Sequence, residues 1–97
     1  MTWRHDSISV EEIFSSKGRV KVLKALAERG EMNISDITRR TSLNHTTTSA
    51  HLKRLCELGI VEEKRFGRIR IFRFKREDPR GWAIQTLFES FKKGPKP

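Results

Sequence analysis

Apolar residues recur at helical spacing in four successive blocks of this chain, alternate through a fifth, and return to helical spacing in the last. Ser9 is placed to cap a first short helix. Glu12 closes a capping box with it, and Ile8 and Ile13 stand as the hydrophobic staple. Ser16 opens a second helix through Val20, Leu23, Leu26 and Ala27, which Gly30 stops. Asn33 caps a third, with Asp36 in its first turn and Met32 and Ile37 as the staple pair. Thr41, Ser42 and Leu43 break the pattern before Asn44 caps a fourth helix. That helix is expected to end at Leu58, with Gly59 in the left-handed position and Ile60 folded back onto Leu55 in a Schellman ending.

Residues 61–65 and 69–74 read as two strands around Phe66, Gly67 and Arg68, with Phe72 and Phe74 at the alternating positions of a half-buried ribbon. Asp78 caps a last helix with Pro79 at its first position, where the missing N–H costs nothing. Gly94 and Pro95 end it, and 94–97 is tail. The expected fold is mainly α with a small β-hairpin, ordered as four helices, hairpin, helix. It forms a single domain over 1–97, with no internal repeat and no dividing linker.

Length and charge narrow the partner. Ninety-seven residues supply one modest core. With 35% hydrophobic and 34% charged residues, a dimer would bury apolar surface that a small monomer leaves wet. Lys and Arg number 21 against 12 Asp and Glu, a formal charge of +9, which favours a polyanionic partner. No apolar run approaches the ~20 residues of a membrane span, and the N-terminus lacks the apolar segment of a signal peptide. A cytoplasmic location is expected. Cys56 stands alone, which leaves no internal disulfide and no thiolate cluster for zinc.

The fourth helix sorts into two faces. Thr48, Leu52, Leu55 and Cys56 fall on the core side, with Leu58 at its margin; Thr46, Thr47, Ala50, Lys53 and Arg54 fall opposite, with Ser49 at the edge. Short side chains there let the backbone approach base edges in the major groove, and the N–H groups around Asn44 and His45 suit a phosphate. A solvated helix would carry similar residues; the preceding break and the basic hairpin that follows favour DNA. Arg65, Arg68 and Arg70 surround Gly67, where they can reach phosphates or a narrow minor groove. They would equally protect an edge ribbon from self-pairing. Lys17 and Arg19 are further phosphate candidates, or simply a solvated helix end. His51 borders the buried face and reads as structural or backbone-contacting. His5 and His45 lack partners at metal spacing, and Cys56 reads as a small buried hydrophobe. In the last helix Ala83, Ile84, Leu87, Phe88 and Phe91 share one arc. Packing on a second subunit beside Ile13 and Phe14 is the preferred reading over closure on its own domain. Trp82 falls on the opposite, polar face, and Trp3 is placed either to anchor the N-terminal arm or to lie in the dimer contact.

From about residue 11 to residue 74 the chain resembles the ArsR-type (arsenic-repressor-like) winged helix-turn-helix regulators, particularly archaeal members. The matching strings are IFSSKGRVKVLKALAERGEMNISDI, LNHTTTSAHLKRLCELGIVEEKRFGR and IFRF. The resemblance implies a homodimeric transcriptional regulator, with the fourth helix in the major groove of double-stranded DNA and the hairpin, or wing, on the backbone. Recognition would fall to His45, Thr46, Thr47, Ser49, Ala50 and Lys53, with wing contacts at Arg65 and Arg68, and segments 9–15 and 78–93 would form the dimer elements. The chain departs from the metal-sensing members, because Asn33 and Ser35 stand where those place cysteines and the last helix holds no histidine. No metal and no cofactor are therefore expected. Ser42 replaces the glycine often found in the turn, and Ala50 a longer side chain.

Three other functions compete with that reading. One is a protein-interaction winged helix that docks on transcription machinery through the Ile84, Leu87, Phe88, Phe91 stripe, and another is an architectural DNA-binding protein of weak specificity. An RNA-binding module would call for exposed aromatics, whereas the phenylalanines here look committed to core or dimer. No nucleophile–base pair or metal constellation can be assembled, so no enzyme is expected.

Overall fold

The computed structural model describes residues 10–93. Its elements are α1 (Val10–Ile13), α2 (Lys17–Arg29), β1 (Glu31–Asn33), α3 (Ile34–Thr41), α4 (His45–Glu57), β2 (Val61–Phe66), β3 (Ile69–Phe74) and α5 (Pro79–Lys93). Ser9 and Ile8, the expected cap and staple partner of α1, lie outside the described residues, as do Trp3, His5 and the 94–97 tail.

The interior caps form as the sequence predicts. Ser16 accepts from Arg19 N at 3.1 Å, Asn33 from Asp36 N at 2.8 Å and Asn44 from Thr47 N at 2.7 Å. Each cap satisfies one of the first-turn N–H groups that a helix leaves unpaired. At the end of α4, Gly59 has φ +80° and donates to Cys56 O at 3.0 Å, while Ile60 N donates to Leu55 O at 3.1 Å. These are the two bonds of a complete Schellman motif. Asp78 caps α5 by accepting from Arg80 N at 2.8 Å. Arg80 also donates to its carboxylate through the side chain, and this bond above all holds the Asp78 carboxyl down at about 2.

Helices α2, α3 and α4 pack on one another, and α5 lies against α2 and β3. Val22, Leu23, Leu26, Ile37, Leu52, Leu55, Ile60, Val61, Phe72 and Phe74 fill one hydrophobic cluster. Thr41 and Thr48 are buried beside it at little cost, since their hydroxyls donate to Ile37 O at 2.7 Å and Asn44 O at 2.9 Å.

The sheet differs from the expected hairpin. It has three antiparallel strands in the order β1-β3-β2, with Met32 opposite Phe72 in β1–β3 and Val61 opposite Phe74 in β2–β3. The reason is the second edge of β3, which would otherwise carry unpaired backbone groups and is covered by Glu31–Asn33. A three-residue strand has no alternation to read, and in the sequence Met32 carries only the signal of a helix staple. The ribbon also turns more tightly than expected. Phe66 pairs with Ile69, leaving Gly67 and Arg68 as a two-residue turn with Gly67 at φ +63°.

Ser42, which ends α3, has φ +62° and is the one non-glycine among the described residues at positive φ. Its Cβ crowds the following carbonyl, at about 1–2 kcal/mol. Ser42→Gly is therefore expected to raise unfolding free energy by roughly 0.5–1 kcal/mol, the gain being trimmed by glycine's greater unfolded-state entropy. Urea titration of both proteins would measure it, and a less stable variant would contradict the strain.

Candidate nucleic-acid interface

The break between α3 and α4 is set by Ser42 and by the Asn44 cap, and it leaves the first turn of α4 facing solvent. Asn44, His45, Thr46, Ala50 and Lys53 are exposed, Thr47 and Ser49 are half-buried, and Thr48, Leu52 and Leu55 are buried. The two predicted faces of α4 are thus realised. The Asn44 side chain is occupied as a cap, so any ligand at this turn meets mainly the backbone N–H groups of His45 and Thr46.

The basic side chains fall into two sets. Arg19 donates to the Glu12 carbonyl at 2.6 Å and, through Nε, to His51 Nδ1 at 3.2 Å. Arg54 donates to Glu12 at 2.8 Å and to Glu57 at 3.2 Å, and its guanidinium holds the Glu12 carboxyl below the usual carboxylate range. Both arginines therefore clamp α1 to the rest of the fold. Arg70 donates to Glu63 at 2.7 Å and lies 5.3 Å from the centre of the Phe72 ring, on the core side of the ribbon. Arg65 reaches the same Glu63 at 3.3 Å from a more exposed position. Lys17, Lys53 and Arg68 are exposed and have no ion pair among the described residues. In the sequence all seven look alike, because a basic residue's intramolecular partner is invisible until the fold brings it close.

His51 is half-buried at the border of the core face of α4 and has a hydrogen-bond partner within the protein. Its Nδ1 accepts from Arg19 Nε, and burial, then the Arg19 charge, push its pKa below the usual imidazole range. The signal that was missed is Gly18: a Cβ there would come within 3.1 Å of His51 Nε2, so a glycine in α2 opens the space into which α4 sends this ring. Cys56 is half-buried, and burial pushes its thiol up to about 11, the opposite of a reactive thiolate.

Two expected dimer residues are placed elsewhere. Ile13 is 4% exposed and Ile84 7%, both inside the protomer's own core. Helix α5 does close over its own domain, with one edge of its stripe. The other edge stays open, with Leu87 at 44% and Phe91 at 76% exposure. Those two line a shallow apolar groove with Phe14, Val20 and Phe88, bordered by Lys24, Glu28 and Lys92. Trp82 is exposed, on the side the sequence indicated.

No described helix is long and apolar enough to cross a membrane. The described residues bring together no group of three or more His, Cys, Asp or Glu that could hold a metal.

Helices α3 and α4 separated by a short break, followed by a basic two-stranded ribbon against a third strand, define a winged helix-turn-helix protein. Residues 16–63 match the model of the bacterial regulatory protein, arsR family. The chain is 30% identical to a homodimeric winged helix-turn-helix DNA-binding domain from Mycobacterium bovis, a possible ArsR-family transcriptional regulator solved by NMR. That match covers 87% of this chain and 72% of the other, with a TM-score of 0.67. A crystal structure of a possible transcriptional regulatory protein from the same organism matches 95% of this chain and 92% of its own, at 27% identity and a TM-score of 0.73. The cadmium resistance transcriptional regulatory protein CadC of Listeria innocua is 33% identical over 58 residues, 60% of this chain and 49% of that protein. The chain thus spans about half the length of the curated relatives it matches. It belongs to the arsR family.

Proposed function

We propose that this chain is a cytoplasmic, homodimeric transcriptional regulator, acting as a repressor, that binds double-stranded DNA with α4 in the major groove and the β2–β3 wing on the neighbouring backbone or minor groove. The observation that carries the reading is the division of the basic residues. Lys53 on the open face of α4, Arg68 at the wing tip and Lys17 at the start of α2 stand exposed without ion pairs among the described residues, while Arg19, Arg54 and Arg70 are spent on internal contacts. Family membership and the homodimeric M. bovis neighbour support it. In a dimer the two α4 helices would meet half-sites about one DNA turn, roughly 34 Å, apart.

Asn44 is assigned to capping, and His45, Thr46, Thr47, Ser49, Ala50 and Lys53 to the groove. Backbone contact falls to Lys17, Arg65 and Arg68, with Arg19, Arg54 and Arg70 holding the frame. With small side chains on α4, sequence preference is expected to be modest and partly through DNA shape. Asn33 and Ser35 sit where cysteines would be needed, so the reading includes no metal switch at α3 and no catalysis.

Fluorescence anisotropy with a labelled duplex tests this. The logarithm of the binding constant is expected to fall with log salt at about −0.9 per phosphate neutralised. Arg68→Ala is expected to weaken all sequences alike and to reduce that slope by about one. Thr47→Ala and Lys53→Ala are expected to change which sequences are preferred. Affinity that barely moves between low and moderate salt would count against the reading. A monomer with no affinity for duplex DNA would favour the protein-docking alternative.

A further inference from the structure

The wing carries a feature that phosphate contacts do not use. In the β2–β3 register Phe66 stands directly opposite Ile69, so both side chains leave the same face of the ribbon at its last rung before the turn. They are 62% and 54% exposed, among the most exposed large hydrophobics of the described residues. Ile71, two residues along the same strand and on the same face, is half-buried, so an apolar strip runs from the sheet out to the tip. Arg65 and Arg70 pair on the opposite face, and Arg68 occupies the turn between.

The surroundings of this strip point to its occupant. From Lys64 to Arg70 the chain holds four cations and no acid. The nearest carboxylate along the chain, Glu63, is engaged by Arg70 and Arg65, and on the strip's own face Lys64 reaches Glu31 at 3.8 Å. A second copy of the same tip would be repelled by like charge. An apolar partner protein would gain nothing from the cations. Duplex DNA presents anionic phosphates on either side of an apolar base stack, the pattern that an apolar pair flanked by cations complements.

We propose that the wing tip is a minor-groove wedge: Phe66 and Ile69 press against and partly unstack a base step, while Arg68 in the turn and Lys64 on the same face hold the flanking phosphates, so that the DNA bends at the wing. This rests on the DNA-binding reading and adds a specificity device to it. Pyrimidine–purine steps unstack most readily and would be preferred under the wing even though no hydrogen bond reads them. The small side chains of α4 then matter less, because part of the sequence choice is made by deformability.

The test uses the full chain and a duplex of about 30 base pairs with TA steps at one-turn intervals, a donor and acceptor dye at its ends, and 2-aminopurine in one TA step. The wild type is expected to raise energy transfer and 2-aminopurine fluorescence together. Phe66→Thr with Ile69→Thr keeps strand-compatible residues at two exposed positions. It is expected to retain the circular dichroism and melting temperature of the parent, lose both signals, and bind about tenfold more weakly or worse, with the salt slope unchanged. Arg68→Ala is expected to lose affinity and salt slope while keeping the bend. A doubly substituted wing that still bends and unstacks the duplex would overturn the wedge and leave DNA binding intact. A wild type that does not bind the duplex at all would instead overturn the DNA-binding reading beneath it.

Discussion

Leu87→Asp combined with Phe91→Asp is expected to convert a dimer into a monomer and to lower affinity for a two-half-site duplex by about two orders of magnitude or more. Both side chains are exposed in the protomer and belong to neither its core cluster nor the residues packed on it. Folding has no reason to suffer. Together with Phe14 and Phe88 they line one apolar groove, a surface suited to a contact site. Placing two carboxylates in the centre of such a contact costs several kcal/mol through burial of charge without partners. The loss on DNA follows because each subunit must then bind its half-site without the high effective concentration that its twin supplies. Analytical ultracentrifugation, circular dichroism and duplex titration would be read together. A variant that remains dimeric would remove α5 from the interface.

Gly81→Ala should destabilise the protein, against the direction that helix propensity predicts. Gly81 lies in the first turns of α5, where alanine would ordinarily be favoured by about 1 kcal/mol. A Cβ at this position, however, would overlap the Lys75 carbonyl oxygen, a backbone atom with no freedom to swing away. That carbonyl accepts from Asp78 N at 3.1 Å, and Lys75 N donates to Ile60 O at 2.8 Å. The entry to α5 is therefore pinned against the end of β3. Overpacking of this kind costs about 1–3 kcal/mol and occasionally more. With backbone on the receiving side the upper end applies, leaving a net loss of about 2 kcal/mol from a total of roughly 5–15. Thermal and urea unfolding would measure it. A variant as stable as the parent would mean that α5 can shift without loss.

The helices were legible because their end signals are local. Ser16, Asn33 and Asn44 each cap a neighbour three residues away, and Gly59 with Ile60 closes α4 over five residues. A single window of sequence contains both partners of every one of these bonds. The strand Glu31–Asn33 was not legible, because its partners Ile71 to Arg73 lie some forty residues on. Three residues carry no period of their own.

The interface divides the same way. Which residues of α4 face outward follows from a 100° step per residue, and burial agrees with it from Thr48 to Leu55. Which arginines remain free does not follow from any local rule. Arg54 is withdrawn by Glu12, forty-two positions earlier, and Arg19 by His51, thirty-two positions later. Phe66 read as part of a turn until the register set it opposite Ile69 at the outermost rung. Helix ends, the amphipathic faces and the basic balance were properties of neighbouring residues and were set by the chain alone. The third strand, the split between structural and available cations, and the apolar wing tip all depend on pairs that are distant in sequence, and only folding brings those pairs within reach of a hydrogen bond or a van der Waals contact.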